Sequence, residues 1–221
     1  MRRKTRKNSR HPMRNIIFEY IKENAKSYLI LIIIFFIGLI LGVLFVNNSN
    51  EAQANQISSY INNFINSVKE NYQISSKELL KTSIINNTCI AILLWFLGST
   101  VIGVPLIYLV IGYKGYCIGY TIAAVTATLE TGKSILFILA TMLLQNIIYI
   151  PTIITLAVSG IKLYKLIMED RRKENIKVQI LRHTIFSLLM LVLLLFSSLV
   201  ETYISGNLSQ IMIKYCVQFT V

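Results

Sequence analysis

Long runs of apolar residues dominate the chain and predict helices that cross a membrane. A spanning helix needs about 20 predominantly apolar residues, and several runs in the sequence approach that length. Unpaired backbone groups are costly in lipid, so each run must form a helix that satisfies its own hydrogen bonds. The runs do not alternate apolar and polar residues, as the strands of a membrane barrel do. The pattern therefore predicts an all-α integral membrane protein, a polytopic helical bundle of about five transmembrane helices.

The ends of the apolar runs predict where the spans and the connecting segments lie. The predicted spans are residues 28–46, 84–113, 115–129, 135–163 and 184–204. The segments around them are residues 1–27, 47–83, 164–183 and 205–221. The third span is short, so the sequence leaves open whether it crosses the membrane fully or re-enters.

The placement of lysine and arginine predicts the orientation of the bundle. Of the 22 such residues, nine lie in residues 1–26, one is Lys114 in the predicted turn between the second and third spans, and seven lie in residues 162–182. Only five would lie on the other side: Lys69, Lys77, Lys81, Lys133 and Lys214. Short cytoplasmic segments carry the excess of positive charge. The N-terminus is therefore expected in the cytoplasm and the C-terminal tail outside.

The net charge of +12 bears on which partners the protein can bind. Because the charge lies at the ends of apolar runs and no nucleic-acid-binding motif is present, we expect no nucleic-acid partner. Membrane lipids are the expected partners instead. The charged residues 168–183 are interpreted as a solvated cytoplasmic hairpin that contacts anionic lipids.

An apolar stripe marks the predicted extracytoplasmic segment 47–83. Its members recur at three- and four-residue steps, as on one face of a helix; they are Ile57, Tyr60, Ile61, Phe64, Ile65 and Val68. One interpretation is a helix that lies on the membrane surface. The other is a docking surface for an extracytoplasmic protein. The two interpretations are compatible, and both stay open.

Catalytic and metal-binding patterns are missing from the sequence. There is no HExxH, GxSxG, P-loop or GxGxxG motif. The three cysteines, Cys89, Cys117 and Cys216, have no CxxC spacing, and His11 and His183 lie far apart. We therefore expect no enzymatic activity, no cofactor and no metal site.

Small residues recur every four positions after Lys114, at Gly115, Gly119, Ala123 and Ala127. Such a stripe lets another helix backbone approach closely. The spacing indicates a helix–helix contact. It does not decide between packing within the chain and self-association of two copies.

Prolines and polar residues inside the spans suggest an alternative function. Pro105 and Pro151 would interrupt the second and fourth spans, with Gln145 and Asn146 beside the latter. Two broken helices are typical of transporters, which usually also hold an ionisable residue at mid-membrane. Glu201 is the nearest candidate, expected near the outer end of the fifth span and within reach of Lys133 or Lys214. A small permease or channel is therefore the alternative hypothesis.

Three stretches carry a resemblance to a known family. They are LWFLGSTVIGVPLIYLVIGYKGYCIG at residues 94–119, QNIIYIP at residues 145–151 and ETYIS at residues 201–205. Together with the order of basic N-terminus, one span, an outside segment and four more spans, they resemble the stage II sporulation protein M family. The resemblance covers nearly the whole chain.

The resemblance implies a function that composition and spacing do not give. It implies a scaffold in the cell membrane, at the septal and engulfing membrane of the mother cell of an endospore-forming bacterium. The expected partners are the sporulation proteins D and P, two extracytoplasmic enzymes that degrade peptidoglycan. The scaffold would localise these enzymes during engulfment, and they would carry out the hydrolysis.

Overall fold

A computed structural model describes residues 19–69, 76–100, 102–128, 131–169, 176–208 and 211. These residues form helices and short turns, with no strand among them. The helices are α1 (Ala25–Asn47), α2 (Glu51–Lys69), α3 (Ser76–Gly98), α4 (Gly103–Thr128), α5 (Thr131–Ile138), α6 (Leu144–Glu169) and α7 (Ile176–Val200). A π-helical turn at Leu139–Leu143 joins α5 to α6, and a second at Glu201–Ser205 extends α7.

Five of these helical stretches are long and apolar enough to cross a membrane. They are α1, α3, α4, the stretch Thr141–Met168 that contains most of α6, and the stretch Ile176–Leu208 that begins with α7. The predicted helical class and the predicted number of spans are confirmed. The chain is a multi-pass membrane protein.

The predicted border between the second and third spans is wrong. Residues 84–113 and 115–129 do not meet at Lys114; α3 ends at Gly98 and α4 begins at Gly103. Glycine disfavours a helix interior, and the backbone N–H groups of Ser99 and Thr100 close the last turn of α3 on Phe96 and Leu97. α4 has 26 residues, which is long enough for a full crossing and not the short helix that was expected.

Pro105 does not break a span. It lies in the first turn of α4, two residues after Gly103. The first four backbone N–H groups of a helix have no partner within the helix, so a residue without an N–H costs little there. Pro151, in contrast, lies inside α6 as predicted.

Other bounds also differ from the sequence prediction. α3 begins at Ser76, so the segment between the first two spans is shorter than residues 47–83. α6 continues to Glu169 and α7 begins at Ile176, which narrows the predicted loop 164–183. Most of the predicted N-terminal segment 1–27 and C-terminal tail 205–221 lies outside the described residues.

The stretch Thr141–Met168 is the central element of the bundle. Within its apolar window 61% of the residues are buried, against 28% for α1, α3 and α4. Ile153 and Leu156 of α6 are fully buried, together with Leu94 of α3 and Leu194 of α7. α1 packs most extensively on α4, whereas α3, α6 and α7 pack on one another. The bundle therefore has two parts, a pair and a three-helix group. They meet where α4 contacts α3 and α6 and where α1 contacts α6.

Candidate functional site

The helix α2 follows the first span after a short turn. Side chains in this turn cap the end of α1 and the start of α2. The hydroxyl of Ser49 donates to the carbonyl of Val46 at 2.7 Å and closes the end of α1. The side-chain oxygen of Asn50 accepts a hydrogen bond from the backbone N–H of Gln53 at 3.0 Å. Asparagine is a preferred N-cap because this bond satisfies a donor that the helix leaves free. The turn therefore fixes where α2 begins relative to the first span.

A groove of about 510 Å³ separates α2 from the ends of α1 and α4. Ile57 and Ile61 line it from α2 and are partly buried, while Tyr60 also lines it and is 76% exposed. Phe45 and Tyr120 line the other side. Of the predicted partner-binding stripe, Ile57, Tyr60 and Ile61 thus share one groove. The side chains of Phe64, Ile65 and Val68 lie outside the described part of the structure.

An aromatic cluster closes the groove on the side of the spans. The ring centroids of Phe45 and Tyr116 are 6.1 Å apart, and those of Phe45 and Tyr120 are 6.2 Å apart. Aromatic side chains collect where the lipid tails meet water. The cluster is consistent with this end of the bundle lying at a membrane surface.

The small-residue stripe of α4 packs against the backbone of α1. A Cβ atom added to Gly115 would lie 2.2 Å from the carbonyl oxygen of Phe35, and one added to Gly119 would lie 2.0 Å from that of Leu39. Ala123 is also buried, but Ala127 is exposed, so the contact ends before that residue. The contact described here lies within one chain.

α1 contributes glycines to the same contact, and the sequence analysis missed them. A Cβ on Gly38 would lie 2.1 Å from the carbonyl oxygen of Gly112, and one on Gly42 would lie 2.2 Å from that of Tyr116. The two glycines are four positions apart in the run GLILG, which is the signal that could have revealed them. Glycines from both helices therefore let the backbones touch.

A cluster of polar residues lies inside the bundle, between α3, α4, α6 and the end of α7. The hydroxyl of Ser83 donates to the carboxylate of Glu201. The ammonium nitrogen of Lys114 lies 5.9 Å from the ring centroid of Tyr149. The Glu201 carboxylate is within electrostatic reach of both Lys114 and Tyr149. We call Ser83, Lys114, Tyr149 and Glu201 the intramembrane cluster.

Lys114 belongs to this cluster because α4 is longer than the sequence suggested. It lies near the middle of α4 and is partly buried, not in a cytoplasmic turn. The side chains of Lys133 and Lys214, the two partners predicted for Glu201, lie outside the described part of the structure. The described part of the chain instead pairs Glu201 with Ser83, which lies 118 positions away in sequence.

Further polar contacts support the cluster. The amide of Asn87 donates to the hydroxyl of Ser198 at 2.8 Å and to the carbonyl of Leu194 at 3.2 Å, so it joins α3 to α7.

The hydroxyl of Tyr149 is buried without a protein partner among the described residues. Both π-helical turns lie near this region and contact each other. π-Helical turns are rare in proteins, and those that occur are frequently found at functional sites.

Gln145 and Asn146, the two amide residues that precede Pro151, lie in the first turn of α6. The side chain of Asn146 donates to the carbonyl of Met142 at 2.8 Å, at the end of the first π-helical turn. The carbonyl that Pro151 leaves without a backbone donor is that of Ile147, four residues earlier. Gln145 is partly buried, and its backbone carbonyl accepts a hydrogen bond from Ser197 at 3.4 Å. The contact between Ser197 and Gln145 joins α7 to α6.

The described residues hold no group of three or more His, Cys, Asp or Glu side chains that could bind a metal ion.

Comparison with known proteins identifies one family. Its model, described as stage II sporulation protein M, matches residues 31–206 and thus includes most of each of the five spans. No curated protein and no solved structure matches the chain. Because the match takes in most of the sequence, together with the intramembrane cluster and α2, the chain belongs to the stage II sporulation protein M family.

Proposed function

We propose that the protein is a non-enzymatic membrane scaffold that recruits peptidoglycan-degrading enzymes to the septal and engulfing membrane during endospore formation. The observation that carries the proposal is the family match over residues 31–206, which gives the chain a role in sporulation. The partners are wall hydrolases of the kind represented by the sporulation proteins D and P. Holding partners in the plane of a membrane raises their effective concentration without new contacts.

The groove beside α2 is the surface we propose for these partners. Tyr60 is the one exposed large apolar side chain among the described side chains of α2, and Ile57 and Ile61, which line the groove beside it, are partly buried. Tyrosine is enriched among the residues that dominate binding energies at protein interfaces, since it offers a large rigid surface and a hydroxyl. A partner that covers Tyr60 would bury this side chain, and by filling the groove it would also bury the apolar residues that line the groove.

Replacing Tyr60 by serine should reduce co-purification of the wall hydrolases by about tenfold or more, as expected for a tyrosine that dominates an interface. The side chain is 76% exposed, so its removal should leave insertion and folding unchanged. Ser59→Asp is the matched control, because it alters an exposed neighbour on α2. Affinity purification from sporulating cells, with quantification of bound hydrolases, measures the effect. Wild-type recovery with Tyr60→Ser would contradict the proposed surface.

We also propose that α2 lies outside the cell and the N-terminus inside. With Lys114 now within a span, sixteen lysines and arginines are expected inside and five outside, so the bias is kept. In a chain without its three natural cysteines, Ser59→Cys should react with a membrane-impermeant thiol reagent added to wall-stripped cells. Lys177→Cys, near the start of α7, should react only after permeabilisation. The reverse pattern would mean that the orientation is inverted.

A small permease or channel is the alternative function. The observation in its favour is the intramembrane cluster, because transporters place ionisable residues inside the membrane. The position of Pro105 counts against it, since Pro105 lies in the first turn of α4 and leaves only Pro151 in the interior of a helix. Solute flux through the purified protein in lipid vesicles would favour the permease. Hydrolase recovery without flux would favour the scaffold.

A further inference from the structure

A second pocket lies at the opposite end of the bundle, where α6 ends and α7 begins. Its volume is about 380 Å³, within the range of about 300–1,000 Å³ that small-molecule sites occupy. The charged side chains that line it are Lys162 of α6 and Arg182 of α7. Tyr20, from the helical turn that precedes α1, forms part of the wall. We call this the basic pocket.

The basic pocket carries a net positive charge. The ammonium of Lys162 lies 3.7 Å from the carboxylate of Glu23 and 4.9 Å from the ring centroid of Tyr20. Glu23 thus offsets one of the two cationic charges. The guanidinium of Arg182 is exposed and forms no ion pair with a described residue, and its planar donors suit phosphate oxygens. Among the described side chains, one positive charge is therefore left for an anionic ligand.

Hydrogen-bond donors accompany that charge. The Tyr20 hydroxyl is protonated at neutral pH, as any ordinary tyrosine is, and burial raises its pKa further, to about 12, so it can donate a hydrogen bond. His183 lies against the pocket, where its Nδ1 and the hydroxyl of Ser159 are 2.9 Å apart. Ser159 and His183 are both buried, so their contact holds this part of the pocket wall in place.

The surroundings of the basic pocket are apolar and face lipid. Leu163, Leu166 and Phe186 form part of its lining. Next to Arg182, the side chains of Leu181 and Ile185 are 59% and 62% exposed, and Leu188 one turn further is 62% exposed. In a membrane-spanning helix, such residues contact acyl chains. A ligand in the pocket would therefore place its anionic group beside cations and its remainder beside lipid-facing residues.

From this arrangement we infer that the basic pocket binds the phosphate group of an anionic phospholipid. A phosphodiester carries a single negative charge, which matches the single positive charge that Glu23 leaves to Lys162 and Arg182. A soluble phosphate monoester carries about 1.5 to 2 negative charges at neutral pH and has no apolar part to use the adjacent lipid-facing surface. The pocket therefore selects a lipid over a free phosphate.

The test compares lipid retention by the purified full-length protein and its variants. The protein is placed in nanodiscs of phosphatidylcholine with and without phosphatidylglycerol, and the bound lipid is counted by native mass spectrometry. We expect the wild-type protein to enrich phosphatidylglycerol. Arg182→Gln should weaken this enrichment by roughly tenfold, the usual effect of losing a charged hydrogen bond. Arg182 is exposed, so the variant should fold; Lys162→Gln is the second variant.

Lys177→Gln is the matched control, because it removes one positive charge from the same helix at an exposed position that does not line the pocket. It should keep wild-type enrichment. An equal loss in Lys177→Gln and Arg182→Gln would mean that general surface charge attracts the lipid, and would overturn the pocket. Unchanged enrichment in both Arg182→Gln and Lys162→Gln would also overturn it.

A further arm of the experiment separates a lipid from a soluble source. Inorganic phosphate and glycerol 3-phosphate are added to the protein in phosphatidylcholine nanodiscs, and thermal stabilisation is measured. We expect no stabilisation by either compound and stabilisation by phosphatidylglycerol. Stabilisation by the soluble phosphates alone would overturn the assignment to a lipid. Because hydrolase recovery is not measured here, failure of this proposal is distinct from failure of the scaffold proposal.

Discussion

Replacing Gly115 by alanine is expected to destabilise the folded protein by about 1–3 kcal/mol, the usual cost of overpacking a close-packed interior. At an ordinary helical position the same exchange stabilises by roughly 0.5–1 kcal/mol, because glycine loses more backbone entropy on folding. The difference lies in the contact with α1. The new Cβ would lie 2.2 Å from the carbonyl oxygen of Phe35. That oxygen belongs to backbone, so no side-chain rotation relieves the overlap and the two helices must separate.

Gly112 offers a matched control on the same helix. A Cβ there would meet the methyl group Cγ2 of Ile34 at 3.3 Å, and a side chain can move by a few tenths of an ångström. Thermal unfolding in detergent should therefore show a lower midpoint for Gly115→Ala and a midpoint near that of the wild type for Gly112→Ala. If both variants unfolded at the wild-type temperature, the close approach of α1 and α4 would be incorrect.

The second large effect is expected in the intramembrane cluster. Glu201→Gln and Lys114→Met should each lower the free energy of unfolding by about 1–3 kcal/mol, because each leaves the other charge without its compensation in a weakly polar setting. The cost should stay below the roughly 3–5 kcal/mol of a fully buried pair, since both side chains are partly exposed. The variant Glu201→Gln keeps an oxygen that can accept the hydrogen bond from Ser83.

A double-mutant cycle separates this charge coupling from the loss of packing. The double variant with both substitutions should lose at least about 0.5 kcal/mol less than the sum of the two single losses, as expected for residues that interact. Lys26→Met with Glu201→Gln is the control pair, because Lys26 is exposed at the far end of α1. Those two effects should add. Additive losses for Lys114 and Glu201 would show that the two charges do not interact.

The sequence predicted the first span well and the second and third poorly, for related physical reasons. The apolar run at residues 28–46 has no internal charge, and α1 spans Ala25–Asn47. In the second and third spans, one charge at Lys114 outweighed the turn residues Gly98, Ser99 and Gly103 in the prediction. A lysine inside a membrane costs only about 2.5–3.5 kcal/mol on insertion scales, and a neighbouring carboxylate reduces that cost. Gly98, Ser99 and Gly103 therefore indicated the position of the turn better than Lys114 did.

The candidate sites could be predicted only where they depend on local spacing. The stripe on α2 and the glycines of α4 follow from three- and four-residue steps along one helix. The pairing of Ser83 with Glu201 and the approach of Lys114 to Tyr149 depend on how separate helices pack. No pattern within one helix encodes such contacts. The basic pocket likewise combines residues from the N-terminal turn, α6 and α7.

The glycine contact between α1 and α4 also affects how the chain is made. Transmembrane helices can enter the bilayer one at a time and associate afterwards. The ribosome completes α2 and α3 before α4, so during synthesis the glycine face of α1 is made before its final partner. A smooth helical face in that state can bind the same face on a neighbouring nascent chain. Prompt emergence of α4 would protect α1 from such wrong pairing, and translation pauses between the two helices would be harmful.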